Sequence, residues 1–252
     1  LHNIDGYIVP KNDDYFTEYS KVNRLKIISN FSGSAGFAII LKNKNYLFVD
    51  GRYTLQAEIQ SGKKFEIITL PNKLPFNVLK DKKLCIGFDP KLHTELRLTQ
   101  LFEKTSCTLF PLNKNLINKI WKKKISRKNN KFYKLSDEDS GNSSKNKIKQ
   151  IVQILIKNNI NLQFVSAPEN IAWLLNLRGS DSEFSPIPNG YLILNNKKQV
   201  YFFCNLKKIN NKLKKDLKNI KIIDIENINK FILKIKNQAV QLDSASCSVF
   251  FR

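Results

Sequence analysis

The feature that most constrains the fold is a pattern written twice. A loop of small residues, Phe31-Ser32-Gly33-Ser34, runs into Ile39-Ile40-Leu41, a polar turn, and then Tyr46-Leu47-Phe48-Val49. Leu177-Arg178-Gly179-Ser180 is likewise followed by Leu192-Ile193-Leu194, a polar stretch over 195–198, and Val200-Tyr201-Phe202-Phe203. Short apolar runs on either side of a polar turn predict a β-hairpin in each copy. Downstream, Cys85-Ile86-Gly87-Phe88-Asp89 corresponds to Ala239-Val240-Gln241-Leu242-Asp243.

Residues 6–9, 65–70 and 107–112 read as further strands of the first copy, and 54–60 and 94–104 as its helices. In the second, apolar positions at i, i+3, i+4 and i+7 over 148–156 form a helix face. Residues 164–166 are strand-like, and 168–176 read as a helix with Pro168 in its first turn. Strands alternating with helices in two similar units predict an α/β chain with mixed sheets flanked by helices. After Asp89 the first copy continues through its helix and strand, whereas only nine residues follow Asp243. The second copy is therefore expected to stop short of its closing helix and strand, and the absence of methionine suggests a fragment or processed chain.

Between the copies, K-K-K, R-K-N-N-K and S-D-E-D-S-G-N-S-S-K carry no apolar period and read as a connection. The expected boundaries are a first domain over 1–121, a basic linker over 122–147 and a second domain over 148–252. A length of 252 residues with 42% hydrophobic content suits two folded domains. The net charge of +22 comes from lysines spread over both halves, alongside abundant asparagine and isoleucine. Arginine is scarce and no helix carries a one-sided Arg stripe, so no specific nucleic-acid partner is expected. No apolar run approaches the roughly 18 residues of a membrane span, so no membrane partner is expected either. Cysteines 85, 107, 204 and 247 form no C-x-x-C pair and read as reduced structural thiols of a cytoplasmic protein. His2 and His93 alone cannot make a zinc site.

The string N-F-S-G-S-A-G-F-A-I-I-L-K-N-K-N-Y-L-F-V-D-G-R-Y over 30–53, with D-G-Y-I-V-P upstream, resembles the N-terminal domain of Xaa-Pro aminopeptidases of the creatinase/prolidase superfamily. P-E-N-I-A-W-L-L-N-L-R-G-S-D over 168–181 resembles the second domain of the three-domain form. Asn115-Leu116-Ile117-Asn118-Lys119-Ile120-Trp121 is similar to the segment that closes the family's first domain. The resemblance implies two non-catalytic, ribonuclease H-like α/β domains ahead of a catalytic pita-bread domain. That third domain would hold two divalent metals, usually manganese, on two Asp, one His and two Glu. No stretch of this sequence supplies such a set, so the catalytic domain is expected to be absent, with no catalytic or metal-binding residue here and no activity from this chain alone.

By resemblance, the full-length protein would release the N-terminal residue from peptides with proline second, and these domains would restrict long or folded substrates. The same resemblance implies as partners the peptide, the catalytic domain and a second copy in a homodimer. An Xaa-Pro dipeptidase-like hydrolase and a non-enzymatic peptide- or protein-binding relative remain as alternatives. Arg52 matches the family's D-G-R-Y arginine, which reaches the substrate, while a local ion pair between Asp50 and Arg52 is the alternative reading. Asp50, Arg178 and Asp181 are candidates for the active-site rim, unless the last two brace their own loop or an interface with the catalytic domain. Tyr53 and Gln56 are expected to start and support the helix that follows, Trp173 to pack in a core, and Asp89 to hold a turn.

Overall fold

In the computed structural model, which describes residues 3–17, 22–80, 82–121 and 130–252, the predicted hairpins form almost residue for residue. The chain divides into two units, Leu1–Ile125 with Ser248–Arg252, and Ser126–Cys247. His2 and residues 122–129 of the expected linker lie outside the described residues.

The first unit contains, in order, β1 (Gly6–Pro10), α1 (Arg24–Ser29), β2 (Gly36–Leu41), β3 (Asn45–Asp50), α2 (Thr54–Ser61), β4 (Glu66–Leu70), α3 (Pro75–Leu79), β5 (Cys85–Phe88), α4 (Glu95–Phe102), β6 (Thr108–Pro111) and α5 (Leu116–Ile120). The strands form a mixed sheet in the order β4-β3-β2-β1-β5-β6, antiparallel across β1–β2 and β2–β3 and parallel elsewhere. Side chains alternate between the faces. Ile8, Ile39, Phe48 and Ile86 pack with Leu98 and Leu101 of α4 on one side. Ala38, Leu47 and Val49 pack with Leu25 of α1 and Ala57 of α2 on the other. Asp89 holds a turn: its carboxylate accepts from Lys91 N at 2.9 Å and from Asn115 Nδ2 at 2.8 Å.

The second unit contains β7 (Tyr133–Lys134), α6 (Asp137–Ser140), α7 (Ser144–Lys157), β8 (Leu162–Val165), α8 (Pro168–Leu175), β9 (Leu177–Arg178), β10 (Tyr191–Asn195), β11 (Val200–Cys204), α9 (Asn211–Asp216), β12 (Ile220–Asp224), α10 (Ile228–Ile232) and β13 (Val240–Gln241). Its main sheet runs β12-β11-β10-β8-β13. Strand for strand this repeats the β4-β3-β2-β1-β5 order, with the same antiparallel centre and parallel flanks. Among the described residues no strand pairs with β13 on its outer side as β6 does with β5.

Two expectations are corrected. The described part of the linker is structural: Phe132 is buried in the core of the second unit, β7 pairs with β9, and α7 begins at Ser144, capped by Ser143. A single buried aromatic among polar neighbours leaves no period to read. By its contacts, Ser248–Arg252 groups with the first unit. Ser248 bridges Thr94, Val249 N donates to His93 O at 2.8 Å, and Phe250 N donates to Pro90 O at 3.0 Å. Backbone pairing across so many residues has no local sequence signal. Finally, Trp173 is 52% exposed rather than core, since Ile171, Leu174 and Leu175 take the inward face of α8.

Cys85, Cys107 and Cys204 are free thiols, and burial with the nearby Asp224 charge pushes the Cys204 thiol up to about 12, which disfavours the reactive thiolate. Among the described residues no helix is long and apolar enough to cross a membrane.

His93 is buried against the Phe88 ring, with centroids 5.7 Å apart, and Nε2 has no hydrogen-bond partner among the described residues. Burial, reinforced by the Arg97 charge, pushes its pKa down from 6.5 to about 3. The unfolded chain therefore takes up this proton first as pH falls. The stabilising effect of a neutral His93 is complete above pH 6.5 and is lost progressively towards pH 3. Between about pH 7.5 and 4.5, urea unfolding of the wild type should lose on the order of 2 kcal/mol more than that of His93→Gln. Equal losses would contradict the assignment.

Candidate functional site

The geometry at the end of β3 follows from its hairpin. Gly36 lies opposite Val49 with φ +157°, and a Cβ there would meet the Phe48 carbonyl oxygen at 2.7 Å. One residue on, the Phe37 and Phe48 rings stack at 4.6 Å. In the preceding loop, a Cβ on Gly33 would strike the Phe31 ring at 2.2 Å. The small residues are thus required by close approach, as well as by the turn.

β3 ends where Asp50 caps a short 3-10 turn, Gly51–Tyr53, accepting from Arg52 N at 3.0 Å. The same carboxylate takes Arg52 Nε at 2.8 Å and Nη2 at 3.4 Å. These bonds to Arg52 hold the Asp50 carboxyl below the usual carboxylate range. Both side chains face solvent, with Arg52 72% and Asp50 41% exposed. The guanidinium lies 5.4 Å from the Tyr53 ring centroid. Tyr53 and Gln56 reach back to the loop: Tyr53 OH lies 2.9 Å from Ser34 Oγ, and Gln56 Nε2 donates to Ser32 Oγ at 2.9 Å. Gln60 accepts from Ser32 N at 2.9 Å. The turn that presents Arg52 is therefore tied to the Gly-Ser loop by a polar net.

Arg178 and Asp181 lie in the second unit, where both serve their own loop. Arg178 Nη1 donates to Ala172 O at 3.1 Å and Leu177 O at 3.0 Å. Asp181 accepts from Asn189 N at 2.8 Å and pairs with Lys208, their side chains only 7% and 11% exposed. Lys208 also lies 5.4 Å from the Phe132 ring centroid. Sequence reading did not find this lysine, because a partner 27 residues away carries no local spacing signal. Nor did it find Lys147, whose Nζ donates to Asn176 Oδ1 at 2.6 Å and Trp173 O at 2.9 Å and lies 4.7 Å from the Trp173 ring centroid. Burial, and then the Arg178 charge, lower the Lys147 pKa, partly opposed by Asp137.

The structure thus brings Asp50 and Arg52 together at an exposed sheet end, and Arg178 and Asp181 into a braced loop. An exposed, planar guanidinium with fixed orientation can bind a peptide carbonyl or carboxylate. Among the described residues, no group of three or more His, Cys, Asp or Glu converges as a metal pair would require.

Residues 2–120 match the creatinase/prolidase N-terminal domain family, and residues 123–252 match a second family of the same description. A probable Xaa-Pro aminopeptidase P of Coprinopsis cinerea is 33% identical over 219 residues, covering 82% of this chain and 35% of the relative. Xaa-Pro aminopeptidase 1 of Dictyostelium discoideum is 34% identical over 236 residues, covering 85% and 37%. The chain spans about a third of the length of the curated relatives it matches. A crystal structure of X-prolyl aminopeptidase from Caenorhabditis elegans, described as a cytosolic enzyme with a di-nuclear active site, shares the fold. Its TM-score is 0.84 at 23% identity, covering 91% of this chain and 39% of that one.

The buried pair makes a stability prediction. Asp181→Ala would remove the buried ion-pair partner of Lys208, which costs about 3 kcal/mol. The double replacement Asp181→Leu with Lys208→Met should recover most of that in denaturant titrations. Asp50→Ala should cost only about 1 kcal/mol, the loss of a cap on a short turn, since its ion pair is exposed. A double replacement no better than Asp181→Ala would refute the pairing.

Proposed function

Because the chain belongs to the creatinase/prolidase N-terminal domain family, matched in tandem, we propose that it is the two-domain N-terminal portion of an Xaa-Pro aminopeptidase. The observation that carries this reading is the run of relatives so named, 33–34% identical across more than four fifths of the chain. The full-length protein would release the N-terminal residue from peptides with proline second, and these domains would limit which peptides reach the catalytic centre. A metal pair supplies hydroxide near neutral pH and polarises the scissile carbonyl. The described residues do not fit such a centre, so hydrolysis is assigned to polypeptide outside these two domains, and no step is routed through a metal here. Free cysteines suit a cytoplasmic location.

Within this reading Arg52 is the substrate-binding residue. Its pair with Asp50 orients the guanidinium, and because exposed pairs are weak, a peptide oxygen can compete for its donors. Arg178 and Asp181 hold the second Gly-Ser loop in shape.

In the full-length protein, Arg52→Ala should lower kcat/KM for a proline-second peptide by roughly ten- to a hundred-fold, the cost of losing one charged donor. Metal content and melting temperature should not change. Arg52→Lys should restore only part of the rate, because it keeps charge without the planar fork. A kinetically silent Arg52→Ala with a lowered melting temperature would assign the arginine to its turn instead.

A further inference from the structure

The helix that follows Arg52 turns an apolar stripe to solvent. The 3-10 turn Gly51–Tyr53 feeds directly into α2, so positions 52, 55 and 59 recur at spacings of three and four on one side. Leu55 is 70% and Ile59 77% exposed, while Ala57 and Ser61 face the core. Beyond the helix the exposed Lys63 and Lys64 follow, and Glu58 is the acidic group on the outward side. A surface helix ordinarily gives such positions to polar residues.

We propose that this face is a subsite for an extended peptide substrate carrying apolar side chains at alternate positions after the proline. The proposal rests on the aminopeptidase reading above and specifies which peptides that enzyme favours. Spacing supports it: Leu55 and Ile59 are four helical residues, about 6 Å, apart. Side chains two apart on an extended strand lie about 6.7 Å apart on one face. Charge supports it at both ends. Arg52, in the turn that leads into the helix, meets the carbonyl one residue before the first apolar side chain, which is the proline carbonyl. Lys63 and Lys64, in the turn that follows the helix, supply positive charge for a terminal carboxylate. Glu58 between them disfavours acidic side chains in the middle of the peptide. The occupant is thus a short extended peptide with a free C-terminus.

The test uses the full-length protein and two hexapeptides of one composition, Ala-Pro-Leu-Gly-Leu-Gly and Ala-Pro-Leu-Leu-Gly-Gly, with Ala-Pro-Gly as a control. The alternating peptide should have the higher kcat/KM, by roughly five- to ten-fold, because only it seats both leucines. Leu55→Ser with Ile59→Ser should bring that ratio close to one. A ratio of one in the wild type, with Ala-Pro-Gly still cleaved, refutes the subsite alone. So does a ratio that survives the double variant while both rates fall together, which would assign the two side chains to packing within the full-length protein. Failure to cleave any of the three peptides refutes the aminopeptidase reading, and the subsite with it.

Discussion

Everything at the candidate site depends on the register of the β2–β3 hairpin. Gly36 opposite Val49, with no room for a Cβ against the Phe48 carbonyl, leaves a single pairing in which Phe37 stacks on Phe48. A slip of one residue would turn every side chain of β3 to the other face and exchange the two cores of the first unit. In the observed register Phe48 faces α4, Leu47 and Val49 face α2, and the strand ends with Asp50 at the rim. Asp50 then sets the turn, the turn sets Arg52, and the Gly-Ser loop steadies both through Tyr53 and Gln56.

The two units use one strand order for different ends. In the first, an acid and a base meet in solvent, where their attraction is weak and the guanidinium can exchange partners. In the second, Asp181 and Lys208 meet below Phe132 with almost no exposure, where loss of either partner strands a charge. The same chemistry is thus exposed to solvent in one unit and buried in the other. Burial, rather than residue type, decides between them.

Much of the fold was legible in the sequence because its signals are local. Short apolar runs on either side of a polar turn marked β2, β3, β10 and β11, an apolar face marked α7, and Pro168 marked the start of α8. The correspondence of the two copies anticipated two similar units, and the matched segments after residues 85 and 239 lie in equivalent strands, β5 and β13. What escaped depends on distant partners: the β7–β9 pairing, the burial of Phe132 and the return of Ser248–Arg252 to Thr94. At the site, the D-G-R-Y motif drew attention to Arg52, and the short spacing from Asp50 left their ion pair open as an alternative. Lys208 could not be foreseen, and its pair with Asp181 fits the reading in which that carboxylate braces its own loop. Trp173 misled for a related reason: an aromatic in a largely apolar helix suggests a core, yet its position falls outside the inward stripe.

The central claim is that Arg52, and not the acid–base pair of the second loop, meets the peptide. It is tested most directly by a crystal structure of the full-length protein with a non-hydrolysable proline-second peptide. The account predicts a guanidinium nitrogen of Arg52 within hydrogen-bond distance of a peptide oxygen, with Asp181 still on Lys208. A complex in which Arg52 touches only Asp50 while the peptide is bound elsewhere would contradict it.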